Sequence, residues 1–284
     1  MVTNTPDKII SSGGLYAVKR MIPLLVLDAV RALRPRGIRF TGDYSSWAEA
    51  SADAQGYDNL GILSRVREAM LKVKCGEACF ERDGVVFFHP LPNLPLLTAL
   101  LGTALAHDGY LRVMDFGGAL GGTYYQAQPY LQSLKKLEWC VVEQPHYVEC
   151  GRREFQTATL QFFSTIEECV EAGKPHVALF SSVLQYLPDP QAILRKVVEA
   201  RIEDVVIDRT PFLCSGHTRL AVQRVPAALG GASYPVWLFG EQELGAALGT
   251  VYRCVFEFTA LDGKLGQGRN TAEFKGFYFS RELE

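Results

Sequence analysis

Leu111-Arg112-Val113-Met114-Asp115-Phe116-Gly117-Gly118-Ala119-Leu120-Gly121-Gly122 is the stretch on which the fold turns. An apolar run ends in Asp115 and opens at once into four glycines between positions 117 and 122. Thr123 follows, placed to cap a helix that continues through Tyr124, Tyr125 and Gln126. A strand that delivers a glycine-rich turn into a helix N-terminus seats nucleotide-like ligands in doubly wound α/β proteins. The glycines let the ligand approach the backbone, and the free N–H groups of the helix start attract negative charge. The dinucleotide pattern G-x-G-x-x-G is not met, because Ala119 follows two places after Gly117 and Leu120 two places after Gly118. That counts against a nicotinamide enzyme.

Moving outward from the turn, strand and helix signals alternate. Strands are predicted over 111–116, 138–143, 160–163, 176–182 and 203–208, with helices over 123–134, 146–156, 165–172 and 189–201. Such alternation implies parallel strands joined by helical crossovers. After a long connection (209–239) and a short helix (240–248), the apolar segments 251–259 and 274–280 flank Gly263, Gly266 and Gly268 and read as an antiparallel hairpin. Upstream, helices are predicted over 15–33, 60–74 and 94–107, and two short extended pieces around Asp83-Gly84. The expected division is an N-terminal, mainly helical extension (1–108) and a ligand-binding domain (109–284).

The 284 residues are 48% apolar with a net charge of −2, which suits a packed core and not a general nucleic-acid surface. The seven cysteines are scattered, no cluster has metal-ligand spacing, and most are expected as reduced core residues of a cytoplasmic protein. Met21–Val30 is too short to span a bilayer and is interrupted by Pro23 and Asp28. Its basic flanks (Lys19, Arg20, Arg31, Arg34, Arg36) would suit peripheral contact of the 15–33 helix with an anionic membrane.

Chemistry-bearing residues cluster at predicted strand ends. Glu143 stands 22 residues past Gly121, followed by Gln144, where a carboxylate can accept both hydroxyl hydrogens of a ribose. The fourth strand ends at Ser181-Ser182, with Gln185 and Tyr186 just beyond, and the fifth at Asp208-Arg209. Ligands in open α/β sheets lie beyond these carboxyl ends. Asp208 could be a general base or half of a structural ion pair; Arg209 could hold an acidic group bidentately. The long connection adds His217, a second candidate base, with Gln223, Tyr234 and Trp237 as specificity residues or core.

The order acidic-x-Gly-x-x-x-Gly at Asp115, Gly117 and Gly121, with Gly118 between, resembles motif I of class I S-adenosylmethionine (SAM) methyltransferases, Ala119 replacing the middle glycine. DFGGALGGTYYQ, WCVVEQ, LFSSVLQYL, VVIDRTPF, SYPVWLF and FKGFYFSRE, with GDYSSWAEA and ERDGVVF upstream, are similar to a family of bacterial methyltransferases often encoded among surface-polysaccharide genes. The resemblance covers roughly residues 40–281. It implies a Rossmann-like three-layer sandwich with a seven-stranded, mostly parallel sheet of order 3-2-1-4-5-7-6 and an antiparallel last strand. It also implies SAM at Asp115–Gly121 and Glu143, with the block 40–88 capping the crevice. The function expected is methyl transfer to a small-molecule or glycan-type acceptor. The alternative is a SAM-binding partner protein that tunes an assembly enzyme without transferring a methyl group.

Overall fold

The computed structural model describes residues 38–54, 59–226, 232–265 and 271–282, so the predicted helix at 15–33 lies outside the described residues. In chain order the elements are β1 (Arg39–Thr41), α1 (Trp47–Asp53), α2 (Asn59–Lys74), β2 (Phe80–Arg82), β3 (Val85–Phe87) and α3 (Leu94–Ala106). There follow β4 (Tyr110–Phe116), α4 (Gly122–Leu131), β5 (Lys136–Val142), α5 (Pro145–Glu154), β6 (Leu160–Phe163), α6 (Ile166–Glu171), β7 (Val177–Ser181) and α7 (Pro190–Glu199). The chain continues with β8 (Asp204–Leu213), β9 (Arg219–Arg224), β10 (Ser233–Leu238), α8 (Glu241–Gly245), β11 (Tyr252–Leu265) and β12 (Ala272–Arg281).

The main sheet runs β6-β5-β4-β7-β8-β12-β11. Counting only its seven strands in chain order, this is 3-2-1-4-5-7-6, with β12 antiparallel to both β8 and β11. The expected Rossmann-like class I methyltransferase fold is therefore observed. Its central strands are apolar on both faces because both are covered. Val113, Trp139, Leu179 and Val206 pack against α2–α5, while their neighbours Met114, Cys140, Phe180 and Ile207 pack against α6, α7 and α8. Trp139 and Phe180 are fully buried.

The connection after the fifth strand differs from expectation. It is not a loop: β8 runs on to Leu213, and β9 and β10 form a hairpin that β1 joins as β1-β9-β10. Small and apolar side chains facing inward, Ala221, Val236 and Leu238, give this second sheet a core of its own. Thr123 is not a cap. The N-cap of α4 is Gly121, at φ +90°, a left-handed conformation that glycine adopts without steric cost. Only three cysteines, Cys140, Cys150 and Cys169, lie in the core. Cys75, Cys79, Cys214 and Cys254 are exposed at turns or on the edge strand β11, and all seven are free thiols. Among the described residues, no helix is long and apolar enough to cross a membrane.

Candidate functional site

Parallel register aligns the strand ends that carry the sequence-predicted residues. Asp115 pairs with Val141 and Leu179, and Ser181 with Asp208. The strand order reverses at β4: β5 and β6 lie on one side of it, and the chain then crosses back from β6 to β7 on the other. That is the switch point at which open α/β sheets form a crevice.

The glycine turn lies on the end of β4. Gly117, at φ +74°, donates its N–H to the Val142 carbonyl at 2.9 Å, and Gly121 donates to Gly118 at 2.9 Å. Ala119 is held at φ +49°, a conformation costly for a residue with a Cβ. Beneath the turn, Asp115 is 1% exposed and accepts a hydrogen bond from Trp139 Nε1 at 2.9 Å. A Cβ on Gly118 would lie 2.5 Å from Asp115 Oδ2, so the turn and the buried acid require each other. Burial pushes the Asp115 carboxyl up to about 7; the Trp139 hydrogen bond opposes this and Glu143 adds to it.

Glu143 stands just past β5, half-buried, its carboxylate taking the backbone N–H groups of Gln144 and Ala119. Burial raises its pKa against those two bonds. Gln144 is the exposed N-cap residue of α5, without a side-chain capping bond.

At the other side of the switch point, β8 carries a bulge. The register against β12 shifts between Lys275 and Phe277, and Arg209 takes φ +52°. A bulge re-aims side chains locally. Here it leaves Asp208 1% exposed, with Oδ1 accepting from the Arg209 N–H at 2.9 Å and Oδ2 from Asn93 Nδ2 at 2.8 Å and Ser181 Oγ at 3.4 Å. Burial raises the Asp208 pKa, and the Arg209 charge counters it. Arg209 forks to Asp262 at 2.9 Å and Asp83 at 3.1 Å. Ser182, at φ +58°, donates its N–H to the Asp208 carbonyl. Gln185 is 1% exposed and donates to Ser182 Oγ at 3.1 Å, leaving its buried Oε1 without a hydrogen bond. Tyr186 reaches the second sheet: its OH donates to Gln223 Oε1 at 3.4 Å, Gln223 donates to the Tyr234 OH at 2.9 Å, and the two rings meet edge-on at 5.4 Å.

His217 is not brought to this cluster. Its side chain is 88% exposed in the turn after Leu213, with Glu243 at 4.0 Å. Residues that sequence reasoning did not assign do arrive: Asn93, Asp262 and the trio Glu81, Arg82, Asp83 of the β2–β3 hairpin. Their signal was the charged run before Gly84, and for Asn93 its position as the N-cap of α3. Of the six non-glycine residues at positive φ among the described residues, four (Asp83, Ala119, Ser182 and Arg209) belong to these strand ends and to the β2–β3 hairpin. Backbone strain concentrated in this way accompanies functional sites.

No protein-family model and no curated protein sequence matches the chain. Solved structures overlap it at low identity. The N-terminal domain of EvdMO1, crystallised with S-adenosylhomocysteine (SAH) and D-fucose, is 14% identical, with 80% of this chain and 98% of that one covered and a TM-score of 0.45. The glycopeptide N-methyltransferase MtfA, complexed with SAM, is 10% identical over 66% of this chain and 87% of its own, with a TM-score of 0.45. Magnesium protoporphyrin IX methyltransferase from Synechocystis PCC 6803, with bound SAM, is 10% identical over 80% and 86%, with a TM-score of 0.41. At such values the ligands of those proteins remain theirs, and the fold assignment rests on the strand order.

Proposed function

We propose that the crevice binds SAM and that the protein transfers the methyl group to an oxygen of a small-molecule or glycan-type acceptor. The observation that carries this is one convergence at the switch point: a glycine turn after β4, an acid after β5 and a buried carboxylate on β8. The residues fit the cofactor. Among the described residues the Glu143 carboxylate has only backbone donors, which leaves acceptor capacity for two ribose hydroxyls. Gly117, Gly118 and Gly121 allow close approach over Asp115, and Gln144, Ser181 and Ser182 border the same ends. SAM, when bound, supplies a methyl group on a sulfonium, a good leaving group.

The remaining work falls to the chain: hold the acceptor in line and take its proton. Asp208 is the proposed proton acceptor, its basicity raised by burial. Gln185, through its open Oε1, and Tyr186 with Tyr234 orient the acceptor hydroxyls, and Arg209 fixes the floor beneath them. A place in surface-polysaccharide synthesis in the cytoplasm rests on the family resemblance.

The test is SAH formation with a panel of free and nucleotide-linked sugars. Asp208→Asn should cut turnover by about 10²–10⁴-fold while SAM affinity stays within about twofold. Unchanged turnover would remove the base assignment. One observation favours a second reading, a non-catalytic SAM-binding partner protein: Asp208 already accepts three hydrogen bonds. SAM binding without SAH formation across the panel would select it.

A further inference from the structure

The β2–β3 hairpin exists because Asp83 (φ +53°) and Gly84 (φ +79°) supply the two left-handed residues of a tight turn. Phe80, 1% exposed, anchors it and stacks on Phe87 with ring centroids 4.5 Å apart. Strand alternation then sends Glu81 the opposite way from Phe80 and Arg82. Glu81 is 8% exposed. Its Oε2 accepts the Gly84 N–H at 3.0 Å, and its Oε1 lies 2.7 Å from where a Cβ of Gly122 would stand. Only a glycine as the first residue of α4 therefore leaves room for this carboxylate beside the turn.

Gly121, the N-cap of α4, has no side chain to cap with, and among the described residues the one hydrogen bond of the Glu81 carboxylate is at Oε2, with no donor at Oε1. Burial pushes the Glu81 carboxyl up to about 7; the Gly84 hydrogen bond and the charges of Arg209 and Arg82 oppose this without either arginine forming an ion pair with it. A buried carboxylate with one oxygen unused, against the turn that seats the ligand, is matched to a cationic N–H donor. SAM and SAH carry one, the α-ammonium group of the amino-acid end.

We propose that Glu81 receives this α-ammonium group, so that the hairpin upstream of the sheet completes the cofactor site and selects nucleosides bearing an amino-acid tail. The inference rests on the cofactor assignment made above. It is tested by calorimetric titration of the full chain and two variants with SAH and with 5′-methylthioadenosine, which has the nucleoside and thioether but no amino acid. Glu81→Gln is nearly isosteric, and Gly122→Ala displaces the carboxylate by putting a Cβ at Oε1. Each should weaken SAH at least about tenfold and leave 5′-methylthioadenosine within about twofold of wild type. Equal weakening of both ligands, or of neither, would overturn the proposal while leaving the cofactor assignment in place. Failure of wild type to bind either ligand would instead remove the cofactor assignment and this inference with it.

Discussion

Gly117 should be irreplaceable for two separable reasons, and a double-mutant cycle can divide them. At φ +74°, alanine costs about 1–2 kcal/mol from backbone sterics alone. Its Cβ would also stand 2.8 Å from Val183 Cβ and inside contact of a Val183 methyl, in the turn that follows β7. Overpacking of this kind costs about 1–3 kcal/mol. Gly117→Ala should therefore destabilise by about 2–5 kcal/mol, the sum of those two costs. Val183→Gly alone should cost about 1–3 kcal/mol through lost burial and added chain entropy. In the double variant the backbone cost remains but the clash is gone, giving a coupling energy of about 1–3 kcal/mol. Urea unfolding at constant m reads all four free energies as shifts in the midpoint. Costs that add within about 0.5 kcal/mol would refute the close approach between the glycine turn and the segment after β7.

Two further outcomes follow from the buried charges. Asp115 has its pKa raised to about 7 by burial, above the 3.8 of an unfolded chain, so the native state holds the proton more tightly between those values. Its contribution favours the fold at low pH and is lost as pH rises through about 7; Asp115→Asn should flatten the decline between pH 4 and 7, by roughly 4 kcal/mol at most, in unfolding free energies measured across that range. Arg209→Met should cost about 3–5 kcal/mol by removing the buried guanidinium that pairs with Asp262, itself 10% exposed, and Arg209→Met/Asp262→Leu should recover part of that loss by the same denaturation assay.

Much of the core was legible because its signals are local. Leu111–Met114 and Trp139–Val142 are apolar on both faces, which marks interior parallel strands. The late pair at 251–259 and 274–280 announced the antiparallel end of the sheet. The second sheet was not legible. β1 and β9 are some 180 residues apart, and Arg39 to Thr41 carries no pattern that names Val222 to Arg224 as its partner. The candidate site divides along the same line. Gly117, Glu143, Ser181 and Asp208 follow from position at strand ends. Asn93 and Asp262 come to Asp208 and Arg209 only through the packing of α3 and the bulge in β8, which no spacing in the sequence encodes. Thr123 has the hydroxyl of a cap, but the left-handed Gly121 ends the turn two residues earlier.

Calorimetric titration with SAM, on wild type and Glu143→Ala, tests the central claim most directly. The account predicts saturable binding at one site per chain, weakened by the variant roughly 10²- to 10⁴-fold, the loss of two charge-assisted hydrogen bonds at about 3–6 kcal/mol in all. Absence of binding to folded wild type, or binding indifferent to Glu143→Ala, would contradict it.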